Sequence, residues 1–297
     1  MKKLIDNFLN RFQSLQDNLQ SVKKNTRASL KQQELFRELE LDRYLQEHLY
    51  GNPKYDDVKR LTRYEFKAFS QSGEDGIISE IFNRIGTTNQ FFVEFGVGNG
   101  LENNTAYLLI KNWRGYWIEG SQSFCQSIRR DFAEPIERGQ LTLQNAFITA
   151  ENIETLFQDG AVPIEPDLLS IDIDGNDYWV WQSIVNYRPR VVIVEYNAIY
   201  PPECSWVMQY NPKHQWRYDS YMGTSLKALE KLAERKGYRL VGCNFAGMNA
   251  FFVREDLLGD RFCEPCTAEN HYEPARYFLC AKTNGHPRAW GAFKTID

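Results

Sequence analysis

Residues 91–100, Phe-Phe-Val-Glu-Phe-Gly-Val-Gly-Asn-Gly, run from a short apolar stretch into three glycines that alternate with other residues. An apolar run of this length closed by glycine reads as a buried strand, and glycines just beyond it let the backbone turn and approach a ligand closely. Dinucleotide-binding proteins use Gly-x-Gly-x-x-Gly at such a turn. Counted from Gly96, that pattern needs glycine at Leu101; counted from Gly98, it needs glycine at Asn103. The dinucleotide reading fails in both frames, and nucleotide-sugar chemistry on the same kind of sheet is disfavoured with it.

Outward from this loop, helical and strand periods alternate. Ile77, Ile78, Ile81 and Ile85 have helical spacing before the 91–95 strand. Further strands are expected over 115–119, 140–146, 167–174 and 190–197, separated by helices near 104–111, 122–131, 152–159 and 177–184. A helix over 225–238 leads to two strands flanking the Ala246-Gly247 turn, which should pair as a hairpin. The expected fold is therefore α/β: a Rossmann-like, doubly wound, mostly parallel sheet with an antiparallel C-terminal hairpin and an N-terminal helical extension. The expected domains are 1–62 for the extension, 63–257 for the sheet domain and 258–297 for a C-terminal tail.

Composition narrows the function. The 297 residues carry a net charge of -4, which argues against a general nucleic-acid binder. The 14% aromatic content suggests a ring-lined site or interface. No stretch is long and apolar enough for a membrane span. The start, Met-Lys-Lys-Leu-Ile-Asp, lacks the apolar core of a secretory signal, so a cytoplasmic location is expected. The six cysteines do not resemble a disulfide framework. Cys263, Cys266, His271 and Cys280 hold zinc-type ligands, but without a second paired spacing the favoured reading is a set of reduced thiols.

In the extension, Ile5, Phe8, Phe12, Leu15, Leu19 and Val22 follow a heptad seam, which lapses at Thr26 and Ser29 before a second helical stretch ending at Gly51. Residues 1–31 carry seven Lys/Arg against two acids. Self-association into a homo-oligomer is the favoured reading, with peripheral contact to a membrane surface as the other.

The strand ends hold the chemistry. Glu119 closes the second strand nineteen positions after Gly100, near the spacing of about 20 for a ribose-binding acid, and strand order puts it beside the glycine loop. Asp172 and Asp174, two apart, should share a face at the end of their strand. Close carboxylates repel and need a cation, a shared proton or hydrogen-bond donors. With Glu195 and Asn197 they form an oxygen-rich set suited to Mg²⁺ or Mn²⁺, or to activating a hydroxyl without metal. A long ring-rich loop follows, with Tyr200, Trp206, Tyr210, Trp216, Tyr218, Tyr221 and His214, which reads either as a substrate lid or as packing. Asp174, Glu195 and His214 are the candidate bases.

Taken together, Ser70-Gln71-Ser72-Gly73-Glu74-Asp75, Glu94 with Gly96, Gly98 and Gly100, Asn103-Asn104-Thr105, Ser170-Ile171-Asp172-Ile173-Asp174-Gly175 and Val194-Glu195 resemble the FkbM family of class I S-adenosylmethionine-dependent methyltransferases, over roughly residues 66–255. Asp174 departs from that pattern, where many relatives carry Glu. The resemblance implies methyl transfer to a hydroxyl, commonly on a saccharide or other small acceptor. It implies S-adenosylmethionine contacts from Glu94 (to the methionine ammonium), Gly96, Gly98, Gly100, Glu119, Gly120 and Asp172, adenine contacts from Asn145 and Ala146, and cover from Gln71 and Glu74. The competing expectation is a non-catalytic partner protein of the same fold that organises an assembly through its N-terminal coiled coil.

Overall fold

A computed structural model describes residues 2–280 and 286–297, with side chains from residue 11 onward. The chain forms two compact units, Met1–Pro53 and Lys54–Asp297. In the first, helix α1 (Lys2–Leu45) runs without a break, followed by a π turn at Gln46–Tyr50. This differs from the two helical stretches expected. Between residues 2 and 45 there is no glycine or proline, so nothing interrupts the hydrogen-bond ladder where the heptad seam lapses. Phe12, Leu15, Leu19 and Val22 are exposed, whereas the side chains of Ile5 and Phe8 lie outside the described residues.

The second unit is built on seven strands: β1 (Phe91–Phe95), β2 (Arg114–Glu119), β3 (Leu141–Asn145), β4 (Leu168–Ile171), β5 (Val191–Glu195), β7 (Tyr238–Cys243) and β8 (Asn249–Arg254), in the order β3-β2-β1-β4-β5-β8-β7. The first five pair in parallel, and β8 lies antiparallel between β5 and β7. This is the doubly wound, mostly parallel sheet with an antiparallel C-terminal hairpin expected from the sequence. Helices α2 (Glu74–Ile85), α3 (Ala106–Ile110), α4 (Gln122–Asp131), α5 (Ala133–Glu137), α6 (Ile153–Asp159), α7 (Asp177–Ser183), α8 (Leu226–Arg235) and α9 (Ala268–His271) complete it. The switch of direction at β1, where the order turns from β2 to β4, opens a crevice at the carboxyl ends of the strands.

Strand alternation divides the core into two layers. Val93, Phe95, Val192 and Val194 point to one. Phe92, Val191 and Ile193 point to the other. Glu94 falls on the second face, where apolar packing would strand a carboxylate. There it accepts hydrogen bonds from the Asn104 and Thr105 amides (2.9 and 3.2 Å) and from the Thr105 and Ser170 hydroxyls. Those bonds hold the chain from the glycine loop to α3 against the sheet.

Two further features were not legible in the sequence. The ring-rich loop contributes β6 (Trp206–Met208), which pairs antiparallel with β9 (Phe293–Thr295) near the C-terminus. The tail therefore clasps the loop: Gln209 N donates to Ala292 O, and Ser205 Oγ to Ile296 O. Asp172 and Asp174 lie beyond the end of β4 in a turn, not on its face as expected, and Asp174 has φ 54°. The buried Asp177 carboxylate braces that turn by accepting the Ile173 and Gly175 amides, both at 2.8 Å.

Candidate active site

The crevice holds a cavity of about 460 Å³. Gly96 forms its floor. With φ 78°, it lies so close to β4 that an added Cβ would stand 1.4 Å from the Asp172 carbonyl oxygen. Gly98, φ 57°, has nothing within 4 Å of that position. The first glycine is required by the fold; the second leaves open space over which a ligand can lie.

Glu119, at the end of β2, accepts the Gly98 amide at 2.9 Å and the Ser121 amide at 2.6 Å. Its carboxyl is pushed above the usual range by burial, an effect those amides oppose. Gly120 and Ala146 line the same wall, together with Phe124 and Phe147, two half-exposed rings that sequence reasoning missed. The signal was present: Phe147 follows a strand end, and Phe124 sits one turn after the Ser121 cap of α4. Asn145 turns away, donating to the Glu119 and Gly120 carbonyls.

Facing this wall are Asp172 and Asp174. Their carboxylates and that of Glu195 bring one oxygen each within 4.8 Å of one another. Among the described residues no cation pairs with any of the three. Burial first, then the charge of neighbouring carboxylates, raises all three: Asp172 and Glu195 well above the carboxylate range, and Asp174, beside Asp177 and Glu119, to about 7. Such a group shares protons near neutral pH, or takes up a cation. Asn197, expected beside them, is occupied elsewhere: its amide donates to the Ser220 and Met222 carbonyls.

His214 does reach the cavity. Its ring packs against Gly175, and its Nε2 is buried with no hydrogen-bond partner among the described residues. Of the loop's rings, Trp216 and Tyr218 line the cavity, 4.7 Å apart. Tyr200 stacks on Trp206, Trp206 meets Tyr221 and Phe293, and Tyr210 meets Trp179, so these rings pack the loop onto its surroundings.

Glu94, Gly100, Gln71 and Glu74 do not line this cavity. Glu94 is buried beneath the loop, and burial raises its carboxyl to about 7. Glu74 is wholly buried, accepting bonds from Ser72 and from Asn244 and Asn249 on either side of the β7–β8 turn. Among the described residues, Asp172, Asp174 and Glu195 are the only His, Cys, Asp or Glu group with converging ligand atoms; Cys263, Cys266, His271 and Cys280 do not form one. His271 instead meets the Cys263 carbonyl at 3.2 Å, and burial pushes it down to about 3.

No protein-family model matches the chain, and no curated protein matches it in sequence. Among solved structures it is similar to the methyltransferase domain of bacterial CtHen1-C, with 15% identity, 62% of this chain and 97% of that one covered, and a TM-score of 0.39. It is similar to the N-terminal domain of EvdMO1 with SAH bound, with 12% identity, coverage of 61% and 79%, and a TM-score of 0.39. A precorrin-6y C5,15-methyltransferase from Geobacter metallireducens GS-15 aligns with 14% identity, coverage of 67% and 95%, and a TM-score of 0.38. No helix among the described residues is long and apolar enough to cross a membrane.

Proposed function

We propose that the second unit is an S-adenosylmethionine-dependent methyltransferase of the FkbM type, acting on a hydroxyl of a saccharide or other small acceptor. The observation that carries this reading is one cavity in which the open glycine loop and Glu119 face the Asp172 and Asp174 carboxylates, which converge with that of Glu195. The open space at Gly98 and the two Glu119 oxygens fit a ribose-bearing ligand, and Phe124, Phe147 and Ala146 fit the faces and edge of its base.

When bound, S-adenosylmethionine supplies an electrophilic methyl carbon, whose bond to sulfur breaks as its bond to the acceptor oxygen forms and leaves a neutral thioether. The chain's part is to position the acceptor and remove its proton. Asp174, raised to about 7, is partly ionised at neutral pH and takes the hydroxyl proton. Asp172 and Glu195, whose protonated forms are favoured by burial and by the neighbouring carboxylates, donate hydrogen bonds that orient the acceptor. His214, with its free Nε2 on the same cavity, is the next acceptor for that proton. The same three carboxylates are the oxygen ligands that Mg²⁺ or Mn²⁺ prefers, which favours a second arrangement with a cation among them.

Calorimetric titration of S-adenosylhomocysteine into the folded protein tests the reading. Saturable binding at micromolar concentration is expected. Its absence would end the methyl-transfer reading and leave the non-catalytic partner protein.

A further inference from the structure

A second, smaller cavity of about 140 Å³ lies where three distant stretches of chain meet: Asn197 just after β5, Ser220 and Met222 of the loop before α8, and Tyr277, His286 and Arg288 of the tail. Glu195 ends β5 two residues before Asn197, which lines this small cavity. Its carboxylate belongs to the group with Asp172 and Asp174, both on the large cavity; burial first, and then the nearby Glu195, raises the Tyr277 hydroxyl of the small cavity to about 12. The small cavity therefore lies at the same end of the sheet as the carboxylates where the proton is to be removed. The sizes of the two cavities divide the work: the larger suits an adenosine-bearing ligand, and the smaller has room for one substituent of an acceptor.

The lining of the small cavity specifies the substituent. Arg288 is exposed on its wall and, among the described residues, forms neither an ion pair nor a hydrogen bond. Its charge reaches the hydroxyls of Tyr200 and Tyr277. Ser220 is fixed there, its Oγ accepting the Ala289 amide and its amide donating to Pro287 O, so the tail segment that carries Arg288 is pinned beside the loop. A guanidinium held at a cavity wall without a carboxylate is poised for bidentate bonding to an oxyanion.

We propose that this cavity is the acceptor subsite and that Arg288 selects a hydroxylated acceptor bearing an oxyanion, either a carboxylate or a phosphate. The inference rests on the methyl-transfer reading for calling the ligand an acceptor. It concerns Arg288, a residue that sequence reasoning had no pattern to find.

Ligand-observed NMR with D-glucuronate, D-glucose 6-phosphate and D-glucose, on wild type, Arg288→Gln and Arg288→Lys, tests it. At least one anionic sugar should bind about tenfold more tightly than glucose, Arg288→Gln should remove that preference, and Arg288→Lys should keep part of it. Which sugar responds separates carboxylate from phosphate. Equal binding of all three sugars, binding of none, or an anion preference that survives Arg288→Gln would overturn the inference. A parallel titration with S-adenosylhomocysteine keeps the two readings apart. If it binds and the anion preference is absent, only the subsite fails; if it does not bind and an Arg288-dependent preference persists, only the methyl-transfer reading fails.

Discussion

The Glu119 carboxylate accepts the amide of Gly98 at 2.9 Å, tying the end of β2 to the glycine loop that follows β1. One side chain thereby shapes the loop and presents oxygen atoms to the cavity. Glu119→Ala should lower S-adenosylhomocysteine affinity at least about tenfold, and Glu119→Gln, which keeps one acceptor oxygen, should lose less. Calorimetry on both variants, with circular dichroism to establish folding, checks this. Unchanged affinity in a folded Glu119→Ala would remove the acid from the ligand site.

Gly96 and Gly98, two residues apart, should respond in opposite ways to the same substitution. Gly96→Ala would drive a Cβ to within 1.4 Å of the Asp172 carbonyl, so the variant should lose the fold or several kcal/mol of stability. Gly98→Ala meets no atom and carries only the strain of φ 57°, about 1 kcal/mol. It should stay folded and lose ligand affinity, because the new methyl occupies the open space. Thermal melts with and without S-adenosylhomocysteine distinguish the two.

Asp174, Asp172 and Glu195 bind protons more tightly in the folded chain than in the unfolded one. Asp174 moves from 3.8 to about 7, so its contribution to stability is fully present below 3.8 and is lost as pH rises through about 7. Melting temperature should therefore fall between pH 6 and pH 8. Asp174→Asn should flatten that fall and raise the melting point at pH 8 by roughly 2–4 °C, while abolishing turnover. On the proposed methyl-transfer reading, turnover by the wild type should rise with pH through about 7, as Asp174 ionises. If the carboxylates hold a cation instead, millimolar Mg²⁺ should restore the melting point at pH 8, and Asp174→Asn should lose that response.

Away from the cavity, Asp167 and Arg190 form a buried ion pair at 2.7 Å. Burial alone would raise the Asp167 carboxyl, yet Arg190 and the Thr88 and Gln90 amides hold it below the usual carboxylate range. Arg190→Ala would strand that carboxylate and should cost about 3–5 kcal/mol, measured by urea denaturation. A loss within 0.5 kcal/mol would show that the Thr88, Asn89 and Gln90 amides suffice on their own.

The exposed seam of α1 offers a separate test. Phe12, Leu15, Leu19 and Val22 are each more than half exposed on a helix of 44 residues. If a second copy covers them, light scattering should give an oligomer for the full chain and a monomer for a chain beginning at Lys54. A monomeric full chain would sink the self-association reading.

The seven strands of the main sheet and most of the helices between them were legible in the sequence because apolar periodicity is local: each segment reports its own geometry. The failed dinucleotide spacing and the place of Glu119 were legible for a related reason, since both depend on short separations around one turn. Other features depended on contacts between distant residues. Glu94 reads as a ligand-facing acid, yet its place on the second face of β1 buries it among Asn104, Thr105 and Ser170. Asp172 and Asp174 meet through a turn braced by Asp177, because β4 ends before them and strand alternation no longer applies. The pairing of β6 with β9 joins Trp206 to Thr295, and no local pattern can specify a pairing across such a separation. Side-chain direction at strand ends and pairing between remote segments are set by what the rest of the chain packs around them, and only the tertiary structure decided those.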